Sequence, residues 1–417
     1  MIIAYVGMTH LGVVSAVGSA EKGFTIVCFD ESEQVINNLK KCNPPVVEPQ
    51  LADLLKKNAD KLTFTYQLND LQKADIVYVA PDIPTNELGQ SNLSPIHNYI
   101  EHISPHLKPD AILVVLSQVP PGFTEKVNWK KENLYYQVET LIFGQAINRT
   151  LFPERFIIGM ANPKSPLPKK LLDFLQSYDC PILPMHFKSA ELTKIAINLF
   201  LISTVSTTNV IAELCEKIKA DWSEIAPALK LDKRIGKHAY LSPGLGISGG
   251  NLERDMTTFC SLASQHGTDF SVIQSWKKNS QYRLNWVLKK LHEEVIPKFE
   301  NPKLSILGLA YKKNTSSIKN SPAVKLISHL KDFHISCFDP IVKSIPEKFS
   351  KIKFFNSLND TYSNADALII MTPWDEFSYL SLKDLVKSNV KDIVDPFGVL
   401  NHEECALAGL NHYQLGK

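Results

Sequence analysis

Apolar residues occur along the chain in short unbroken runs that alternate with segments of helical spacing. Strands inside a parallel sheet are buried on both faces and therefore appear as continuous apolar runs. The pattern predicts helices at 47–58 and 168–177, and strands at 2–6, 24–29, 75–80, 111–116 and 155–159. This order of strands and helices predicts a parallel sheet covered by helices on both faces.

One stretch is much longer than the others: residues 189–216 contain neither proline nor glycine and repeat apolar residues at helical spacing. We expect a single long helix there. Its middle is apolar on nearly every side, which is typical of a helix buried between layers or against a second subunit. Lys194 and Asn198 are one helical turn apart on the same face. They are either a candidate site or a surface lysine beside an ordinary asparagine.

The N-terminal pattern returns in the last third of the chain. Segments 304–312, 334–339 and 365–373 repeat the apolar spacing of the first three strands and their turns. This repeat predicts a second doubly wound domain. The predicted fold class is α/β, with two doubly wound (Rossmann-like) domains joined by a long central helix. The predicted domains are 1–185, 186–295 and 296–417.

A glycine turn follows the first predicted strand. Gly7 and Gly12 bound the turn, and Asp30 ends the second strand. In dinucleotide-binding units, the backbone N–H groups of such a turn and the N-terminus of the next helix face the pyrophosphate. Asp30 can accept hydrogen bonds from the adenosine ribose and repels a 2′-phosphate, so NAD is expected rather than NADP. Thr9 occupies the position of the usual second glycine, and its hydroxyl could bind phosphate if the loop opens slightly.

Further cofactor contacts are expected in the loops after the third and fourth predicted strands, because ligands of open α/β sheets bind at the carboxyl ends of strands. The predicted cofactor-binding residues are Gly7, Thr9, Leu11, Gly12, Asp30, Pro81 and Gln118. The C-terminal repeat has only Gly308 in its first turn. That is too little for a dinucleotide, although a mononucleotide could bind there.

The segment 243–255 is rich in glycine and polar residues and precedes a predicted helix at 256–264. A flexible backbone ahead of a helix N-terminus can bind an anion or a sugar. A plain surface loop can have the same composition, and this segment alone leaves both interpretations open.

The composition is that of an ordinary globular protein: 417 residues, 44% hydrophobic and 21% charged, with a formal net charge of +2. This charge gives no reason to expect nucleic acid or a membrane surface as a partner. The apolar N-terminus is interpreted as a first strand rather than a signal peptide, and no apolar run reaches the roughly 18 residues that cross a bilayer. The seven cysteines are scattered, which indicates reduced thiols in a cytoplasmic protein and no metal site.

The order of motifs resembles the UDP-glucose/GDP-mannose dehydrogenase family over nearly the whole chain. Besides the N-terminal turn, the resemblance lies in SQVPPGFTE (117–125), ERFIIG (154–159), ELTKIAINLFL (191–201), DKRIG (232–236) with the glycine loop up to Asp255, and LGLAYKKNTSSIKNSPA (307–323). The resemblance implies NAD-dependent oxidation of a sugar C6 alcohol to the carboxylate, in a homodimer formed through the long helix. A nucleotide sugar, most simply a UDP-sugar, is the implied substrate.

The resemblance also assigns roles to individual residues. Lys194, Asn198 and Asp255 match catalytic positions, and Glu139 matches a glutamate that activates water. Arg234 matches an arginine that reaches the substrate of a neighbouring subunit. The substrate-binding residues implied are Phe143, Arg234, Gly246, Gly249 and Lys312.

The chain departs from the family where the second oxidation takes place. Counting back from Asp255 places Asn251 at the position of the family's nucleophilic cysteine, and an amide cannot act as that nucleophile. Cys260 is nine residues further on and could serve only if the loop were shifted. Other changes in the same motifs are Gln118, Val138, Phe143, Ser248, Ser317, Lys319 and Phe397, the last standing where many members carry an arginine.

Three hypotheses follow from the loss of the nucleophile beside retained catalytic residues. The first is a nucleotide-sugar dehydrogenase that stops at the aldehyde or completes the second oxidation through water and Glu139. The second is an epimerase-like enzyme that oxidises its substrate only transiently. The third is a homologue that binds nucleotide sugar without turnover.

Overall fold

The structure is a computed structural model that describes every residue except 87–88, 249 and 346–350. The chain divides into two compact units, Met1–Ile197 and Asn198–Lys417. Each unit is built on its own sheet.

The first unit contains an eight-stranded sheet with the order β3-β2-β1-β4-β5-β6-β7-β8. Strands β1 to β6 are parallel to one another, whereas β7 runs antiparallel to β6 and β8 is parallel to β7. The strand order reverses at β1, because β2 lies on one side of it and β4 on the other. Such a reversal of strand order opens a crevice at the carboxyl ends of the strands. The strands are β1 (Ile2–Val6), β2 (Thr25–Phe29), β3 (Leu62–Thr65), β4 (Ile76–Val79), β5 (Ile112–Val115), β6 (Leu134–Gln137), β7 (Phe156–Met160) and β8 (Ile182–His186).

Helices cover both faces of this sheet. Val14 and Phe174 belong to the buried apolar cluster on one face, and Ile100 and Phe187 belong to the cluster on the other. Burial on both sides explains why the strands are uninterrupted apolar runs. The helices are α1 (His10–Glu21), α2 (Glu33–Lys40), α3 (Leu51–Lys57), α4 (Ser94–Ile103), α5 (Ala146–Leu151), α6 (Lys169–Gln176) and α7 (Phe187–Ile218).

Helix α7 is the predicted central helix and is two residues longer at each end than the predicted range of 189–216. It begins in the first unit and ends in the second. By length and composition alone it could cross a membrane, which the sequence analysis did not expect. Within its most apolar window, 44% of the residues are buried, and its buried residues include Thr208 and Asn209. The core helix of a globular protein can have the same length and apolar composition.

The second unit contains a six-stranded parallel sheet with the order β11-β10-β9-β12-β13-β14. This sheet repeats the switch of the first, because β9 lies between β10 and β12. Its strands are β9 (Lys303–Leu307), β10 (His334–Phe338), β11 (Ile352–Phe354), β12 (Ala367–Ile370), β13 (Asp392–Val394) and β14 (Asn411–Tyr413). The predicted fold of two doubly wound domains with a long central helix is confirmed.

The remaining helices surround this second sheet or precede it. They are α8 (Trp222–Leu231), α9 (Asn251–Gln265), α10 (Ser271–Leu284), α11 (Trp286–Lys290), α12 (Pro322–His329), α13 (Leu358–Tyr362), α14 (Leu382–Lys387) and α15 (His402–Leu407). Helix α9 begins five residues before the predicted start at Met256, so Asn251 and Asp255 belong to the helix rather than to the glycine loop.

Candidate active site

The turn between β1 and α1 is built so tightly that it requires its two glycines. Gly7 has a φ of +89°, and a Cβ added to it would lie 2.8 Å from the nitrogen of Pro81. A Cβ on Gly12 would lie 2.0 Å from the carbonyl oxygen of Gly7. Any larger residue would force the turn away from α1 and from the loop after β4. The turn therefore leaves the first N–H groups of α1 at the sheet edge, where a phosphate can approach.

Asp30 is placed against this turn by its own hydrogen bonds. One carboxylate oxygen accepts from the backbone N–H of Met8 at 2.7 Å, and the other accepts from that of Ser32 at 2.9 Å. Each oxygen keeps acceptor capacity for a ribose hydroxyl. Glu31 follows directly and lies 2.7 Å from His102. Two adjacent carboxyl groups at this end of β2 would repel a 2′-phosphate, so they are suited to the unphosphorylated adenosine ribose of NAD.

The hydroxyl of Thr9 is bound to the loop after β4. It donates to the carbonyl of Ala80 at 3.3 Å and accepts from the backbone N–H of Asp82 at 3.1 Å. These two contacts fasten the loop after β4 to the start of α1. Binding of phosphate by the Thr9 hydroxyl stays a prediction. Pro81 lies in the same loop and packs on Gly7, and Leu11 is buried behind the turn.

A buried contact between a histidine and a glutamate, which the sequence analysis missed, lies at the start of α1. His10, the first residue of α1, has its Nε2 atom 3.2 Å from a carboxylate oxygen of Glu48, and both side chains are buried. The ring of Phe143 stacks on the His10 ring with centroids 4.1 Å apart. Glu48 also accepts from the backbone N–H groups of Gly144 and Ala146. Phe143 thus lies beside His10 at the start of α1. Its contact with substrate stays a prediction.

Lys194 pairs with Glu139 in the first unit. The Lys194 Nζ atom lies 3.5 Å from a carboxylate oxygen of Glu139, and the two side chains are only 11% and 17% exposed. Glu139 is held by a short hydrogen bond from the backbone N–H of Leu141. The interpretation of Lys194 as a surface lysine is therefore wrong, since it is buried and ion-paired.

Glu191, one turn before Lys194, positions the loop after β5. Its carboxylate is fully buried and accepts from the backbone N–H groups of Gly122 and Thr124 at 2.6 and 2.7 Å. Burial raises the pKa of Glu191 against the opposing effect of these hydrogen bonds. The hydroxyl of Ser117 in the same loop donates to the carbonyl of Pro81 at 2.5 Å. Gln118 lies between these anchors and is partly exposed.

In the second unit, Asn198 and Asp255 form a buried pair. The Asn198 amide donates to one Asp255 oxygen at 2.5 Å, and the Nε atom of Arg254 lies 3.4 Å from the other oxygen. Asp255 is 1% exposed. Asn251 is exposed at the first position of α9, so it lies about one turn before Asp255. This arrangement brings two of the predicted catalytic residues together.

Cys260 lies away from Asn251, the position at which the resemblance places the family's nucleophile. It lies on α9 nine residues beyond Asn251, which is about 13 Å along a helix. Burial raises the pKa of its thiol, so little thiolate forms at neutral pH.

The glycine loop before α9 is anchored from two sides. The backbone N–H of Gly244 donates to Asn209 of α7 at 2.8 Å, and that of Ile247 donates to the hydroxyl of Ser280 at 2.7 Å. A Cβ on Gly246 would lie 2.4 Å from the Ser280 carbonyl oxygen, so glycine is required there. The loop is therefore fixed to α7 and α10, and its binding of an anion or a sugar stays a prediction. Gly249, predicted to bind substrate, lies outside the described residues.

The turn after β9 is in close contact with side chains of the same unit. Asp339 follows β10 as Asp30 follows β2, and its carboxylate accepts from Leu309, Ala310, Ile341 and Val342 N–H groups and from the Trp374 indole. A Cβ on Gly308 would lie 2.5 Å from Thr372. The expectation that this turn does not bind a dinucleotide stays a prediction.

The other predicted substrate residues, Arg234 and Lys312, belong to the second unit. Arg234 is exposed and donates to Asp232 in its own turn at 2.6 Å. The Lys312 ammonium lies 5.7 Å from the ring centroid of Tyr311. Phe397, after β13, lines a surface pocket together with Trp222 and Leu241.

The fold and the glycine turn define an NAD-binding α/β protein with buried acid and amine groups of the kind that oxidoreductases use. The chain matches the NAD binding, central and UDP binding domains of the UDP-glucose/GDP-mannose dehydrogenase family over residues 1–173, 188–281 and 305–402. It belongs to this family and is an NAD-dependent nucleotide-sugar dehydrogenase.

Individual relatives match from end to end. The UDP-glucose 6-dehydrogenase TuaD of Bacillus subtilis is 31% identical over 100% of this chain and 93% of its own length. The UDP-glucose 6-dehydrogenase of Rickettsia typhi is 29% identical over 100% of this chain and 99% of its own. A solved UDP-glucose dehydrogenase from Pyrobaculum islandicum superimposes with a TM-score of 0.86 at 24% identity, covering 99% of this chain and 96% of that one. This last match shows that the two proteins share a fold.

Proposed function

We propose that the protein oxidises the C6 alcohol of a UDP-sugar and that it does so without a covalent thioester intermediate. The observation that carries the proposal is the buried Lys194–Glu139 pair, in the unit that also holds the glycine turn and Asp30. An amine and a carboxylate with little solvent around them are suited to alcohol oxidation, in which an oxygen changes its charge and loses a proton.

In this proposal NAD, when bound, accepts a hydride from the sugar carbon. The first turn of α1 and Asp30 hold the cofactor's pyrophosphate and adenosine ribose. Lys194 donates to the C6 oxygen, which gains negative charge as its proton leaves. Asn198 and Asp255, bonded to each other at 2.5 Å, hold the hydroxyl or water that takes this proton. Lys194 and Asn198 are on successive turns of α7, which suits them to one substrate.

The second oxidation differs from the thioester route because Asn251 replaces the nucleophile. An aldehyde can add water to form a hydrate, and loss of a hydride to a second NAD, together with loss of a proton, would convert the hydrate to the acid. Glu139 is the group suited to remove a proton from that water. The product is therefore the aldehyde, or the acid formed through the hydrate.

The thiol-free route predicts that Cys260→Ser leaves both the turnover and the product unchanged. Alkylation of the folded protein with iodoacetamide is expected to leave the turnover within about twofold of the untreated enzyme, because no thiol forms a bond to the substrate. The measurement is the NADH formed per sugar consumed, with and without alkylation. A loss of turnover in Cys260→Ser, with an unchanged thermal unfolding midpoint, would show that Cys260 takes part in the reaction.

The quaternary structure and location are also proposed from these features. Helix α7 leaves large apolar side chains exposed at Phe200, Val210, Leu214 and Ile218, which are 51–77% exposed. A second copy of the chain would cover them, as the family resemblance implies, and we propose a homodimer. Free cysteines at all seven positions support a cytoplasmic location. The domain division of 1–185, 186–295 and 296–417, and binding of substrate by Phe143, Arg234, Gly246 and Lys312, stay predictions.

A further inference from the structure

The sequence of the glycine loop permits many backbone conformations. Its described part, residues 243–248, includes Gly244 and Gly246, and glycine has no side chain that restricts the backbone. When a ligand needs one particular conformation, its apparent Kd is the intrinsic Kd divided by the fraction of molecules that adopt that conformation. Contacts that hold the loop in one conformation therefore act on the affinity for whatever binds there.

Ser280 of α10 contacts the loop with both its side chain and its backbone. Its hydroxyl accepts from the backbone N–H of Ile247 at 2.7 Å, and both residues are buried. A Cβ built on Gly246, which has a φ of +80°, would lie 2.4 Å from the Ser280 carbonyl oxygen. The loop backbone thus passes directly over Ser280, and the Ser280 hydroxyl satisfies a buried N–H group of the loop.

Asn209 of α7 holds the start of the loop. Its Oδ1 atom accepts from the backbone N–H of Gly244 at 2.8 Å, and Asn209 is 1% exposed. The adjacent Thr208 donates to the carbonyl of Tyr240 at 3.3 Å, just before the loop begins. Helix α7 therefore holds both the first residues of the loop and the segment that leads into it.

Helix α10 is itself fixed to α7 close to Ser280. Arg283 is 1% exposed, and its Nη1 atom lies 3.0 Å from one carboxylate oxygen of Glu213. The hydroxyl of Tyr282 donates to the other oxygen of Glu213. Asn209 and Glu213 are one helical turn apart on α7. Both anchors of the loop thus lead back to one face of the same helix.

Gly246 lies between the two anchored N–H groups and is partly exposed. Its own N–H forms no hydrogen bond with another residue in the part of the chain that the structure describes. A backbone N–H group is a strong donor, and one that is already held in place loses little freedom when a ligand arrives. This group can therefore donate to an oxygen atom of a ligand.

We propose that Ser280 and Asn209 are positioning residues for the nucleotide sugar: they hold the loop so that the Gly246 N–H can donate to an oxygen of the UDP-sugar. This role rests on the UDP-sugar substrate proposed above. Neither residue has to touch the ligand, because each acts through the loop backbone. Removing either acceptor leaves an N–H group without its partner, and the loop then moves into the other conformations that its glycines permit.

The test is isothermal titration calorimetry of the full chain with UDP-glucose, UDP or NAD, each added alone. Ser280→Ala is expected to raise the Kd for UDP-glucose about tenfold, because the competent loop conformation becomes the minor one. The Kd for NAD should not change, since the glycine turn belongs to the other unit. Ser275→Ala is the matched control, because Ser275 is an exposed serine of the same helix whose hydroxyl donates to Ser271.

The UDP titration shows which part of the ligand the loop holds. If Ser280→Ala weakens binding of UDP and UDP-glucose alike, the oxygen that accepts from the loop belongs to the UDP moiety. If only UDP-glucose is affected, that oxygen belongs to the sugar. Either result supports the proposal. No NADH forms in these titrations, so a failure of the proposed C6 oxidation would leave them unchanged.

Further variants separate positioning from a general loss of structure. Ser280→Thr keeps the hydroxyl and is expected to bind UDP-glucose within about threefold of the wild type. Asn209→Ala should weaken binding as Ser280→Ala does, and it decides by the same criteria if Ser280→Ala does not fold. In steady state, the KM for UDP-glucose should rise while kcat stays within about twofold.

The thermal unfolding midpoint shows whether each variant is folded. A folded Ser280→Ala protein that binds UDP-glucose as tightly as Ser275→Ala would overturn the proposal. An equal loss of NAD affinity would also overturn it, because the effect would then not be confined to the loop. A fall in kcat with an unchanged KM for UDP-glucose would contradict a role in binding.

Discussion

Lys194→Ala is expected to lower kcat by about 10²–10³-fold with a much smaller change in the KM for NAD. The ammonium group is the donor placed for the oxygen that becomes charged, and it is held 3.5 Å from Glu139 with only 11% of its side chain exposed. Alanine removes the donor and leaves the buried Glu139 without this ion partner. The measurement is steady-state NADH formation with a saturating UDP-sugar.

The control for this variant is Lys188→Ala on the same helix. Lys188 pairs with Glu125 at 2.8 Å, but its side chain is 64% exposed, so its loss should leave kcat nearly unchanged. Lys194→Arg should recover part of the activity by retaining a charged donor, although its planar group differs in shape. A Lys194→Ala protein that folds normally and keeps most of its kcat would exclude the proposed role of Lys194.

Asp255→Asn is expected to lower kcat by about 10²–10⁴-fold, the usual contribution of a positioned acid–base group. The side chain is 1% exposed and bonded to Asn198 at 2.5 Å. An asparagine of the same size can fill the space, but it has no negative charge with which to hold the hydroxyl or water that takes the proton of the alcohol. The loss should appear in kcat at every pH, because the amide does not titrate in the accessible range.

Glu224→Gln is the matched control in the second unit, because Glu224 is an exposed acid of α8. Circular dichroism and thermal unfolding should show that Asp255→Asn retains the fold. If Asp255→Asn were folded and as active as Glu224→Gln, the acid would serve only to hold Asn198 and Arg254 in place.

Much of the fold could be predicted because its signals are local. Unbroken apolar runs identify strands buried on both faces, and the segment without glycine or proline identifies α7. The antiparallel pairing of β7 with β6 could not be predicted, since strand direction depends on the connections in space and not on the run itself. The early start of α9 was missed because residues 251–255 are all polar or charged apart from Leu252. Glu253 and Arg254 are nevertheless good helix formers after a glycine.

The site could be predicted only where its residues are close together in sequence or where they match a motif of the family. The turn from Gly7 to Gly12 and the Lys194–Asn198 spacing belong to the first kind. The ion pair of Lys194 with Glu139 joins residues far apart in sequence, and only the resemblance pointed to Glu139. His10 lies between Gly7 and Gly12 and could have been noticed as a titratable residue at a phosphate site. Glu48 carries no sequence signal, because its partners in the described structure come from α1 and from the segment at α5.

The most direct test of the central claim is product analysis after incubation of the protein with NAD and a panel of UDP-, GDP- and dTDP-sugars. If the proposed C6 oxidation is correct, NADH forms when a UDP-sugar is added. The sugar is then recovered either as the aldehyde, which is lighter by two hydrogens, or as the acid. An isomeric sugar of unchanged mass with no free NADH would identify an epimerase-like reaction. Binding of the UDP-sugar, seen as a thermal shift, with neither NADH nor a changed sugar would contradict catalysis altogether.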